Sequence, residues 1–166
     1  MNINRKLIIC SAIALPMLLV GPAKSFEFPE ELPVPGEVSA NVTLASSYIW
    51  RGEVQNGNNP AIQGGFDYGV DLLETYVSAY AGIWGSPAAN TDGNLELDYY
   101  GGISGAIPGV EDYLSYDGGI LYYDYPGLTS SADAQNFVEY YGSIGIALPY
   151  DASVSYYYGY SPTGYG

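Results

Sequence analysis

Glu96 and Asp98 stand two residues apart, so on an extended strand both carboxylates leave the same face. Paired acids of this kind serve some hydrolases as general acid and general base. Four further acids, Asp67, Asp71, Asp117 and Glu139, recur at strand-like positions, and Arg51 is the one basic residue beyond position 24. Composition removes the other catalytic chemistries. The chain has no histidine, and its one cysteine, Cys10, lies near the start, so Ser-His-Asp, Cys-His and His-metal centres have no material beyond that point. Carboxylates lining a water-filled channel explain the Glu96/Asp98 pair without catalysis, because rings of acids favour cations in a pore. The chain is therefore read as a non-enzyme. Asn90 to Asn94 (NTDGN) offers hard oxygen ligands but lacks the spaced acids and distal glutamate of an EF-hand. Asn, Asp and Gly build turns by themselves. No metal and no cofactor are expected.

The elements that position these acids begin after an export signal. Arg5 and Lys6 precede an apolar run from Leu7 to Val20, followed by the small-x-small site Ala23-Lys24-Ser25. Residues 1–25 read as a cleaved signal peptide, since the run falls short of about 18 apolar residues and contains Pro16. Cleavage removes Cys10 and leaves 18 acidic residues against Arg51 alone, a net charge of −17. A polyanion repels nucleic acid and anionic lipid, which excludes binding either through a basic patch. Disorder does not fit either, because disordered acidic chains are poor in aromatics and this one has 19 Tyr.

Residues 26–37 form a Pro/Glu-rich leader, and 38–166 form one domain. Within it, apolar and polar residues alternate over stretches longer than the strands of a soluble sandwich and long enough for a tilted strand to cross a bilayer. Strands are predicted at 38–52, 60–72, 75–84, 95–106, 113–125, 135–148 and 152–160. In the first, Val38, Ala40, Val42, Leu44, Tyr48 and Trp50 share the apolar parity. In the second, Ile62, Phe66, Tyr68, Val70 and Leu72 oppose Gln63, Asp67 and Asp71; in the fourth, Leu97, Tyr99 and Ile103 oppose Glu96, Asp98 and Tyr100. Asp117 and Glu139 fall on the polar parity of the fifth and sixth. The third is ambiguous, since both its parities are apolar or small.

Connections alternate in length. Segments 53–59, 85–94 and 126–134 are longer and polar, whereas those near Leu73-Glu74, 107–112 and 149–151 are short. Bacterial outer-membrane barrels pair short periplasmic turns with longer outer loops. Trp50, Trp84, Tyr125 and Tyr158 then fall at the outer strand ends and Tyr76, Tyr113 and Tyr150 at the inner ends, as two aromatic belts at the membrane interfaces. The fold class is all-β, an antiparallel transmembrane β-barrel of outer-membrane type. Seven strands cannot close such a barrel, since bacterial single-chain barrels use an even number. The expectation is an incomplete sequence, with assembly from several chains or an unrecognised strand as the alternatives.

Several pieces resemble the TorF-type porin family (Gcw_chp), bacterial proteins catalogued as conserved hypothetical. They are Ser47-Tyr48-Ile49-Trp50-Arg51-Gly52, Asn59 to Tyr68 (NPAIQGGFDY), Gly82-Ile83-Trp84-Gly85-Ser86, Glu96-Leu97-Asp98 and Tyr122 to Gly127 (YYDYPG). The chain departs from the family pattern at Glu53-Val54, where a small or apolar pair is more usual. The resemblance implies an outer-membrane barrel and a channel.

The expected partners are outer-membrane lipid and small solutes or cations, with no nucleic acid and with self-association left open. Arg51, Asp67, Asp71, Glu96, Asp98, Asp117 and Glu139 are the expected pore-lining residues. The alternative is a filled structural or adhesive barrel that acts through its outer loops, with Arg51 tied into a carboxylate network. The exported protein is expected to begin at Phe26, which N-terminal sequencing reads directly. A mature protein that retains Leu7 to Val20 would replace the cleaved signal with a membrane anchor.

Overall fold

The computed structural model describes residues 26–27, 35–73, 76–88, 95–126 and 136–162. The expected signal peptide (1–25), most of the expected leader and Asn90 to Asn94 lie outside them. The described residues contain ten strands: β1 (Phe26–Glu27), β2 (Glu37–Ala45), β3 (Ile49–Trp50), β4 (Glu53–Val54), β5 (Ala61–Leu73), β6 (Val77–Ser86), β7 (Glu96–Ala106), β8 (Leu114–Asp124), β9 (Phe137–Ala147) and β10 (Ser153–Tyr160). Eight form one sheet in the order β1-β2-β5-β6-β7-β8-β9-β10, and β3 pairs with β4 alone. Every pairing is antiparallel. The fold is an all-β antiparallel meander whose sheet is open, since β1 and β10 each have one neighbour among the described residues.

Register converts the alternation into two faces. Val38, Tyr68, Ala81, Gly101, Ile120, Tyr140 and Tyr160 stand in one row across the sheet, and Ser39, Asp67, Gly82, Tyr100, Leu121 and Glu139 in the next. The first face is apolar and exposed, with Val42, Leu44, Ile62, Phe66, Ile103, Ile120, Ile144 and Val154 all open. Among the described strand residues its one carboxylate is Asp124, at the end of β8, where Asn136 Nδ2 donates to it at 2.7 Å. The second face holds the buried cluster of Tyr80, Leu121, Tyr123, Phe137 and Tyr141. The ambiguous β6 is resolved by its neighbours. Ser78, Tyr80 and Ser86 are buried on the second face, while Ala79, Ala81 and Ile83 join the first.

The predicted strand 38–52 is corrected, because β2 stops at Ala45. Ser46 and Ser47 bend the chain, and the β3–β4 hairpin follows. Arg51 (φ 49°) and Gly52 (φ 89°) both occupy left-handed backbone, as the two-residue turn of a twisted hairpin requires. The bend resets the parity, so Tyr48 is buried on the second face although it was predicted to share a face with Val42 and Leu44.

Short connections gather at one end of the sheet. The β9–β10 turn carries two left-handed residues, Tyr150 and Asp151. In the β7–β8 turn Tyr76 Oη donates to Glu111 at 3.0 Å. The backbone amides of Glu111 and Gly109, with Tyr76, hold the Glu111 carboxyl below its ordinary range.

Glycine makes the packing of the second face. Gly102 on β7 and Gly119 on β8 are neighbours, flanked in register by Tyr80 on β6 and Tyr141 on β9. The two tyrosines lie across the glycines and their hydroxyls meet. A Cβ on Gly119 would overlap the Gly101 carbonyl and approach Tyr141 Oη to 2.8 Å, whereas one on Gly142 would meet nothing nearer than 3.9 Å. Gly119→Ala is therefore expected to destabilise the fold by about 1–3 kcal/mol, and Gly142→Ala to change it little. Denaturant midpoints of the refolded protein compare the two; equal midpoints would dissolve the tyrosine-over-glycine account.

Candidate functional site

Carboxylates of the second face are held by side chains one or two strands away. At the centre, Tyr80 Oη donates to Asp117 Oδ1 at 2.5 Å. Tyr100 crosses Gly82, whose added Cβ would strike its ring, and its hydroxyl donates to Asp67 on β5. Toward the short turns, Ser78 Oγ donates to Asp71 at 2.7 Å, and Asp71 is exposed. Each of these acids receives a hydroxyl, which is how buried or half-buried carboxylates keep their hydrogen-bond capacity.

Glu139 on β9 is 0% exposed and is reached by the tip of the β3–β4 hairpin. Arg51 Nη2 donates to Glu139 Oε2 at 2.6 Å and to Oε1 at 2.9 Å. Tyr157 of β10 donates its hydroxyl to the same carboxylate and stacks on Tyr141 with 5.8 Å between ring centroids. The guanidinium also lies 4.3 Å from the Trp50 ring centroid, a cation–π contact. Trp50 meets Tyr123 edge-on, and Tyr123 stacks on Phe137 at 4.2 Å. The hairpin is fastened at its base by the buried Asn56, whose Oδ1 accepts from the Tyr48 backbone amide at 3.0 Å and from Ser47 Oγ at 3.1 Å.

Glu96 and Asp98 lie at the start of β7, at the end of the sheet with the long connections. They are 2% and 5% exposed. Tyr48 Oη donates to Glu96 Oε1 at 2.6 Å, and Trp84 sits edge-on to Tyr48 at 5.4 Å. Tyr125 also interacts with Glu96. Asp98 Oδ1 has no hydrogen-bond partner.

All six predicted acids and Arg51 thus occupy the second face or the hairpin against it. They fall into separate clusters, with Arg51 committed to Glu139. The aromatic belts are corrected in part. Trp50, Trp84 and Tyr125 pack on the second face instead of ringing the outside. For Trp50 the cause is the parity reset at Ser46 and Ser47; for Trp84 it is the register of β6, which sets it opposite Asp98. Tyr158 is exposed on the apolar face, Tyr113 and Tyr150 are exposed by the short turns, and Tyr76 is half-buried there. The tyrosine partners of the acids were not foreseen as partners. Inward parity marks Tyr100 and Tyr141, but which acid each one meets depends on register.

Arg51 has a 39% exposed side chain, so water discounts the cost of removing it compared with a fully buried partner. Arg51→Ala still leaves Glu139 buried with only hydroxyl support, and is expected to cost about 2 kcal/mol. Adding Glu139→Gln to that variant should recover part of the loss. Unfolding midpoints for the two singles and the double read the coupling, and additive effects would remove the ion pair from the account of the fold.

No curated protein and no solved structure matches the chain. Residues 30–166 match a family described as bacterial protein of unknown function (Gcw_chp). The chain belongs to that family.

Proposed function

We propose that this chain is an exported outer-membrane β-barrel protein of the TorF-type porin kind, which gives small solutes a passive and cation-preferring path. The observation that supports it most is the inversion of the two faces. Across seven long strands the apolar face is exposed and carries one strand carboxylate, whereas the acids and their hydroxyl partners lie on the other. A lipid-facing surface has this character, and so does a water-facing lumen behind it. Lipid is the natural partner of the first face, and small cations suit the second. The lumen reading needs the acids to outweigh the bases, and among the described residues of that face Arg51 is the one basic side chain.

A second reading is favoured by one specific observation. The β3–β4 hairpin lies against the polar face, Arg51 binds Glu139 from there, and Tyr80 meets Tyr141 across two strands. Side chains that fill an interior in this way are characteristic of small closed barrels, which act structurally or through their loops.

Planar-bilayer recording separates the two. The natural full-length protein is expected to conduct, to prefer potassium over chloride, and to lose that preference as ionic strength rises and screens the acids. Asp71→Asn with Asp117→Asn should reduce the preference without abolishing conductance. Well-folded protein that passes no current would establish the filled barrel, and a strong anion preference would remove the acids from the conduction path.

A further inference from the structure

Asp98 stands apart from the other five predicted acids. Asp67, Asp71, Asp117 and Glu139 each accept from a named donor, and Glu96 accepts from Tyr48. Asp98 is buried like Glu96 and Glu139, at 5% exposure, where Asp67 and Asp117 are half-buried and Asp71 is exposed, and its Oδ1 accepts from nothing. A buried carboxylate oxygen without a donor makes the ionised group costly, and this one has another carboxylate, Glu96, two residues along the same face of β7. Side chains two apart on a strand leave backbone positions about 6.6 Å apart, close enough for both carboxylates to converge on one ion between them. Arg51 cannot serve both ends, because it is engaged by Glu139.

We propose that Glu96 and Asp98 form the binding site of one hard divalent cation of the calcium class, with Tyr48 as a positioning residue. Charge and donor type both lead there. Two carboxylates are neutralised by one dication, and the polar side chains beside them include the hydroxyls of Tyr48 and Tyr125 and, in register, those of Ser86 and Tyr123. Oxygen donors select hard ions, and no imidazole or thiolate is at hand to select zinc or copper. Calcium tolerates irregular geometry and completes its shell with water, whereas magnesium demands a near-ideal octahedron. Tyr48 donates to Glu96 Oε1 and is itself wedged against Trp84, so the hydroxyl fixes one carboxylate while leaving its second oxygen free of that bond. The site goes beyond the pore reading and does not depend on conduction.

The aromatic rings beside the acids supply the measurement. Terbium(III) substitutes for calcium and emits when a nearby excited tyrosine or tryptophan transfers energy to it. Full-length protein refolded in detergent should give saturable terbium emission on excitation of its aromatics, displaced by calcium. Asp98→Asn and Glu96→Gln should each weaken terbium binding at least tenfold, Tyr48→Phe by a smaller factor, and Glu111→Gln, in the short turn at the other end of the sheet, should leave it unchanged. Should the acid variants fail to fold, the unmodified protein still decides the matter: calcium at millimolar concentration should raise its urea midpoint, and magnesium should raise it less. Absent or non-saturable emission, emission that survives Asp98→Asn, or a midpoint indifferent to calcium would overturn the site. A barrel that binds terbium but passes no current keeps the site and loses the pore.

Discussion

The buried carboxylate of Glu139 is the constraint around which the rest of the described structure is arranged. A charge with no exposure must be met by an opposite charge and by hydrogen bonds, or it destabilises the fold. Arg51 meets both oxygens through one nitrogen, and Tyr157 adds a hydroxyl. That meeting joins the connection after β2 to β9, five places along in the sheet order. A flat sheet could not bring them together at hydrogen-bond distance. Curvature, the inward hairpin and the left-handed backbone of Arg51 are therefore parts of one arrangement. Left-handed backbone disfavours a residue with a side chain, and here the ion pair and the Trp50 contact offset that cost.

Composition follows from the same face. The chain has 22 glycines and 19 tyrosines, and on the polar side the two types are complementary. A tyrosine laid flat across a neighbouring strand needs a position without a Cβ, as Tyr100 has at Gly82 and Tyr80 at Gly102. Phenylalanine would fill the same space but would leave Asp67 and Asp117 without their donors. The hydroxyl lets one residue type act both as packing and as a hydrogen-bond donor, which explains how a face so rich in acids can be covered by aromatic rings.

Much of this was legible in residue order alone. Strict alternation in β5, β7, β8 and β9 assigned Asp67, Glu96, Asp98, Asp117 and Glu139 to one side, because a period of two leaves no freedom once a strand is straight. The same rule misled at Trp50, where a bend at Ser46 and Ser47 broke the strand and reset its parity. In β6 it was silent, since Val77 to Ser86 is small or apolar on both parities, and only pairing with β5 and β7 turns Trp84 inward. The partners of the acids were hidden for a related reason. Tyr100 meets Asp67 across an intervening strand, and that register is set by connections whose geometry is not encoded in the hydrophobic pattern.

The two faces also bear on the membrane setting proposed for the chain. A soluble protein would cover Val42, Ile62, Phe66, Ile103, Ile120 and Ile144 with a second layer and turn its acids to water. Among the described residues the layer that exists, the β3–β4 hairpin, packs on the acidic side, where Arg51 meets Glu139 and Tyr48 meets Glu96, and leaves the isoleucines open. Burying acids while exposing aliphatic side chains is unfavourable in water on both counts. In the outer-membrane setting proposed above the balance reverses, because hydrocarbon solvates an exposed apolar band and the other face is where polar groups can be satisfied. On that proposal the hairpin that Arg51 anchors packs on the face turned away from lipid.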